Sequence, residues 1–214
     1  MEYNPLGMPK LAARCPHLKY LEVFETWCMS DRVPTGNIMF SLLQILDFTC
    51  QHSAPLGNLL PYLHLPNLTS LSLRMDCSRP KKHTQDFLNN LRGMLEQSPQ
   101  IRSLRLEELM FSDSELIEIL PLVPSLQSLA LLPRRYYHSL YTTSFFNALN
   151  LTIQSETTPV LIPGFTNLML ELQDITWFGE PSLRQRMAEI VSMLESRRAS
   201  LRHFELHATI PDPY

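Results

Sequence analysis

Two short stretches pair a thiol with an imidazole: Cys15-Pro16-His17 and Cys50-Gln51-His52. Each offers two metal-ligand groups, and a zinc site would need all four to converge tetrahedrally. The remaining cysteines, Cys28 and Cys77, stand apart, and the chain has no C-x-x-C. Arg134-Arg135-Tyr136-Tyr137 is the densest basic and aromatic cluster; it could meet a phosphate or an acidic peptide, but an ordinary solvated loop with a partly packed tyrosine is the expected reading. Lys81-Lys82-His83 is a smaller basic run and reads as an exposed loop before a helix. Neither G-x-S-x-G, G-x-G-x-x-G, a phosphate-binding loop nor H-E-x-x-H occurs. The expectation is therefore no catalytic residue, no metal and no cofactor: not an enzyme.

Composition narrows the classes further. The chain has 214 residues, 44% hydrophobic and 18% charged, with net charge −3. That is the range of a folded domain, and it supplies no basic field for nucleic acid or an anionic membrane. No apolar run approaches the roughly 18 residues of a membrane span. The stretch MEYNPLGMPKLAARCPHL lacks the apolar centre of a secretory signal. A cytoplasmic or nuclear protein with free thiols is expected, and the sequons at Asn67 and Asn150 then carry no glycan.

These side chains are positioned by a repeat. An apolar residue at offsets 0, 3 and 5 recurs in PHLKYLEV (16–23), SLLQILDF (41–48), PNLTSLSL (66–73), PQIRSLRL (99–106), PSLQSLAL (124–131), PGFTNLML (163–170) and ASLRHFEL (199–206). All key positions are Leu, Ile, Val or Phe, and proline stands two residues before offset 0 in five of the seven copies. Three of the intervals are 25 residues; the longer ones read as insertions outside the strand. Offsets 3 and 5 share one face of a strand because side chains alternate, and offset 0 enters the core from the preceding turn. His17 and His52 fall at different offsets of their copies, so the spacing does not bring the two Cys–His pairs together. Cys28 and Cys77 read as small buried hydrophobes.

Between copies the period changes to that of a helix. Residues 84–97 place Phe87, Leu88, Leu91, Met94 and Leu95 on one face, with Thr84 as N-cap. Residues 112–120 open with Ser112 and Glu115 at capping-box spacing and bury Leu116, Ile119 and Leu120. Residues 182–197 repeat the device with Ser182 and Gln185. There Leu183, Met187, Ile190, Val191 and Leu194 are expected inward, and Arg184, Arg186, Glu189, Glu195 and Arg197 in solvent. Segments 52–64 and 134–162 are expected to hold short helical turns. Trp27 and Trp177 fall in loops after strands.

A strand, a loop and a helical return, repeated about seven times, describe an α/β leucine-rich-repeat solenoid with a parallel sheet on its concave face. Phrases such as LAARCPHLKYLEV and ILPLVPSLQSLAL resemble the leucine-rich-repeat regions of fungal F-box proteins, particularly the mushroom-type set. Residues 1–214 then form a single leucine-rich-repeat domain, with 1–15 the end of a preceding repeat or a cap. The resemblance implies a non-catalytic substrate receptor of a cullin-type ubiquitin ligase, which would hold a protein target and reach the ligase adaptor only through an F-box upstream. No F-box segment of the LPxEL type is present. The Asn or Cys of regular repeats at offset 8 is also replaced, by Thr26, Gln51, Asp76, Leu109, Arg134, Gln173 and Thr209. Two other readings fit the same surface: a leucine-rich-repeat regulator of an enzyme, acting as GTPase activator or inhibitor through Arg74 or Arg105, and a truncated paralogue without function.

Offsets 2, 4 and 6 face away from the core, and a partner would bind there. The candidates are Tyr20, Glu22, Phe24, Ile45, Asp47, Arg74, Arg105, Glu107, Met169, Glu171, His203 and Glu205. Large apolar groups beside charges are the usual ingredients of a protein-binding hot spot. Acidic groups lie toward the N-terminal end with two arginines in the middle, which favours a protein over a nucleic acid.

Overall fold

The computed structural model describes residues 7–25, 36–50, 53–75, 85–109, 111–132, 141–151, 164–173 and 180–209. Their order is α1 (Met8–Arg14), β1 (Tyr20–Glu25), β2 (Ile38–Met39), β3 (Ile45–Cys50), α2 (Ser53–Leu59), β4 (Leu63–His64), β5 (Ser70–Met75) and α3 (Gln85–Glu96). There follow β6 (Ser103–Glu107), α4 (Asp113–Ile119), β7 (Ser128–Leu132), α5 (Thr143–Leu149), β8 (Asn167–Gln173), α6 (Glu180–Ser196) and β9 (His203–Thr209). Single 3₁₀ turns, Leu60–Tyr62 and Leu120–Leu122, extend α2 and α4. Cys28, His52, Cys77, Lys81 to His83, Thr84, Arg134 to Tyr137, Trp27 and Trp177 lie outside the described residues.

Seven strands form one parallel sheet in the order β1-β3-β5-β6-β7-β8-β9. Each begins at offset 2 of a sequence copy, and neighbours pair at equal offsets: Tyr20 with Ile45, Ile45 with Ser70, Ser70 with Ser103, and so on to Asn167 with His203. The fold is thus α/β with a parallel sheet. Strands β2 and β4 form a separate two-stranded pair.

The backbone shows why copies align. The carbonyl of Lys19, at offset 1, accepts from both Gln44 N and Ile45 N at 2.9 and 3.0 Å. Gln44, Thr69, Arg102, Gln127 and Thr166 repeat the arrangement toward the next strand. The prolines have a local purpose. Leu18, Leu68, Ile101 and Leu126 donate to the carbonyls three residues earlier, closing turns in which Pro16, Pro66, Pro99 and Pro124 hold the second position. Proline pre-sets the φ that this position needs.

The inward offsets build the core. Leu43, Leu68, Ile101, Leu126 and Phe165 at offset 0 are fully buried, as are Leu46, Leu71, Leu104, Leu129 and Leu168 at offset 3. Each such leucine contributes roughly 1.5–3 kcal/mol of burial. The outermost strands differ. Leu18 and Leu21 at one end, and Leu201, Phe204 and Leu206 at the other, are only partly buried. A core residue here is covered by copies on both sides, and an end strand has one neighbour.

Helices cover the apolar side. In α3, Phe87, Leu88, Leu91, Met94 and Leu95 are all buried, as the period requires. Gly57 of α2 allows close approach: a Cβ there would lie 3.2 Å from the Cα of Phe87. Ser112 caps α4 with the reciprocal box, its N–H donating to Glu115 Oε2 at 2.6 Å. Arg92 of α3 donates to Glu118 of α4, tying the outer helix surface together.

Helix α6 departs from expectation in two respects. It starts at Glu180, ahead of the expected N-cap Ser182. Its buried stripe runs through Ile190, Met193 and Arg197, while Met187 and Val191 are exposed. The expected solvent residue Arg197 is fully buried, its Nε donating to the Leu149 carbonyl that ends α5 and its guanidinium 5.5 Å from the Phe165 ring centre. The helix is rotated because its neighbour is the polar end of α5. Asn150 donates to Ser192 Oγ at 3.0 Å, and Leu151 N donates to Ser196 Oγ at 3.2 Å. Asn150, the second sequon residue, is buried in this seam.

Candidate functional site

The sheet face opposite the helices carries offsets 2, 4 and 6, and none of those side chains is buried. All twelve candidate residues lie on this one face, by strand parity and equal-offset pairing. It divides into three zones.

At the β1 end, Tyr20, Phe24 and Ile45 are 49%, 60% and 40% exposed. Glu22 pairs with Asp47 in the register, so two carboxylates stand side by side, with Tyr20 and Ile45 on one side of them and Phe24 and Thr49 on the other. The Tyr20 hydroxyl is held above its ordinary pKa by partial desolvation, a hydrogen bond to Glu22 and the negative charge of Glu22 and Asp47.

The centre is an ion-pair cluster around Glu107. Arg74 Nη1 lies 3.5 Å from Glu107 Oε1, and Arg105 donates through Nε and Nη2 to Oε2 at 3.0 and 2.9 Å. Arg74 also donates to Glu108 Oε1 at 3.2 Å. Glu108 was not among the expected face residues, since offset 7 points inward on a regular strand. Its φ of 58° turns the chain just past β6 and brings the carboxylate back to the open side. No spacing signal in the sequence announces that turn. The expected positive centre is therefore cancelled locally. Around it stand small or short side chains: Ser70, Ser72, Ser103, Ser128 and Ala130, with Leu132 at the margin.

At the β9 end, Glu205 bridges two histidines. His207 Nε2 is 2.7 Å from Oε1 and His203 Nε2 is 3.6 Å from Oε2. Met169 and Glu171 of β8 pair with Glu205 and His207 in the register. The hydrogen bond from His207, reinforced by that from His203, holds the Glu205 carboxyl below its ordinary value of 4.5. A depressed carboxyl favours the folded state above the ordinary value, and that contribution is lost as pH falls through the depressed value. Carboxyl NMR should therefore show Glu205 titrating below 4.5, and His207→Gln should return it toward 4.5. An unchanged titration would mean that the histidine contact is not formed in solution.

Of the two Cys–His pairs, Cys15, His17 and Cys50 are among the described residues. Cys15 lies half-buried in the turn before β1 with His17 exposed beside it, whereas Cys50 is buried in the core at the end of β3. Among the described residues, no three His, Cys, Asp or Glu side chains are grouped to hold a metal. Leu109, at the offset-8 position of its copy, is buried as a core residue. No described helix is long and apolar enough to cross a membrane. Comparison with family models, with characterised proteins and with solved structures finds no match to this chain.

Proposed function

We propose that this chain is a leucine-rich-repeat solenoid whose open sheet face holds a protein target, and that it serves as the recognition part of an F-box protein in a cullin-type ubiquitin ligase. The observation that carries the binding reading is the concentration of half-exposed large apolar groups, Tyr20, Phe24 and Ile45, on a face where no side chain at offsets 2, 4 and 6 is buried. Sequence copies that coincide with strands, paired at equal offsets, support the repeat reading. The ligase part rests on the phrases that resemble F-box proteins. The enzyme-regulator reading needs an arginine extended to a partner, and Arg74 and Arg105 are both drawn onto Glu107.

A photo-crosslinking amino acid at Ser72 or Ala130 tests the face, with Val191 on the exposed side of α6 as control. The expected result in an extract of the source organism is one partner captured from the two sheet positions and absent from the control. Capture from Val191 alone, or equally from all three, would overturn the assignment. Extending the chain through the sequence encoded upstream of Met1 should yield a complex with the cullin adaptor. No complex would remove the ligase reading and leave target binding standing.

A further inference from the structure

The β1 end of the face has a spacing and a charge that specify more than a protein in general. Along β1, Tyr20, Glu22 and Phe24 project from one face at intervals of about 6.8 Å. Across to β3, Ile45 stands beside Tyr20, Asp47 beside Glu22 and Thr49 beside Phe24. The zone is therefore a row of apolar groups, a row of two carboxylates, and a second row with Phe24 at its head. Like charges side by side on neighbouring strands disfavour one another. Among the described residues no cation pairs with Glu22 or Asp47. The nearest arginine along that face, Arg74, is turned to Glu107 and Glu108.

Resting on the open face as a protein-binding surface, we infer that the β1–β3 end takes an extended segment of a partner protein carrying one Lys or Arg with an apolar residue two positions to either side. An extended chain repeats same-side positions at about 6.8 Å, which matches the three rows. The cation enters between Glu22 and Asp47 and relieves their repulsion. The flanking side chains cover Tyr20 with Ile45 on one side and Phe24 on the other. An acidic or phosphorylated segment would meet the two carboxylates and be rejected.

Selection of a peptide-display library on the full chain tests this. The expected result is enrichment of apolar-x-basic-x-apolar sequences. A synthetic peptide leucine–serine–arginine–serine–leucine in a glycine–serine frame should bind saturably, and Glu22→Gln with Asp47→Asn should weaken it at least ~10-fold. Charge reversal at both positions to Lys should switch the enrichment to an acidic centre. These side chains are on the open surface, so unchanged thermal melts should accompany the loss. Failure to enrich a basic centre, or indifference to the charge reversal, overturns the inference. If peptides bind but respond to changes at Arg105 or Met169 instead, the open-face reading survives and this one fails. If no face substitution alters binding, both fail. Concentration-dependent self-association abolished by Phe24→Ser would assign the zone to a second copy of the chain and also overturn the inference.

Discussion

Asp113→Ala is expected to lower the unfolding free energy by about 3 kcal/mol, as removal of a buried acceptor that leaves several donors unpaired. Asp113 is the first residue of α4, and its buried carboxylate faces the start of α5. Oδ1 accepts from Tyr141 N at 2.9 Å, and Oδ2 accepts from Thr142 N at 2.6 Å and from the Thr142 hydroxyl. Tyr141 has φ 66°, a left-handed conformation that a bulky residue adopts only when its surroundings impose it. The imposition comes from both ends of the residue: Asp113 takes its N–H, and Arg186 of α6 donates to its carbonyl at 3.2 Å. The ring is buried against Phe145, with centroids 5.3 Å apart. The carboxylate thus ties α4 to the start of α5, and Arg186 of α6 holds the same Tyr141 from its carbonyl side. Asp113→Asn keeps one accepting oxygen and turns a donor toward the other N–H, so its loss should be about 2 kcal/mol. Thr142→Ala should cost about 1 kcal/mol through the N-cap bond it accepts from Ser144 N. Denaturant midpoints at constant slope measure all three, and the Asp113/Thr142 double variant should lose less than the sum. A loss below about 1 kcal/mol for Asp113→Ala would show that water replaces the carboxylate and that the junction is not buried in solution.

The strands were legible because their signal is redundant. Seven copies share offsets 0, 3 and 5, and period-2 alternation then assigns every other residue to a face. The same parity brought the twelve candidate face residues together. Equal-offset alignment also held a contact that the sequence reading did not extract: Arg74 and Glu107 both sit at offset 6 of adjacent copies and form an ion pair. Glu108 was not legible, since a left-handed residue after β6 breaks the parity that predicts its direction. Helices α3 and α4 followed their sequence signals because they pack on apolar neighbours, where hydrophobic period decides orientation. The expected orientation of α6 held at Ile190 and Leu194 and failed at Met187, Val191 and Arg197, for the converse reason. Its neighbour presents carbonyls and an asparagine, and such a surface is served better by Arg186, Ser192, Ser196 and Arg197 than by Met187 and Val191. Apolar periodicity carries no information about a polar seam.

That seam sets the second large effect: Arg197→Ala should lower stability by about 3 kcal/mol, from a lost charge-assisted hydrogen bond and the cavity left behind. A cation at a helix C-terminus is favoured by the dipole there, and Arg197 donates to the last carbonyl of α5. Burial pushes its guanidinium down to about 10, so it stays charged at neutral pH. The sign follows. A cation with a depressed folded pKa carries a constant penalty below about 10, and that penalty is relieved only as pH rises beyond about 10. Stability near neutrality should therefore be insensitive to pH through this group. Arg197→Met restores much of the volume without the charge, so it should lie between the wild type and Arg197→Ala, at about 1 kcal/mol. Arg197→Lys is the sharper test. An ammonium is hydrated more strongly than a guanidinium and lacks the flat face that lies over Phe165. Its folded pKa should fall below the ordinary lysine value, and the variant should gain stability relative to wild type as pH rises from 8 toward 10. If Lys, Met and Ala behave alike at every pH, the guanidinium is not what holds α5 to α6. The two hydrogen bonds beside it, Asn150 to Ser192 and Leu151 N to Ser196, would then carry the seam.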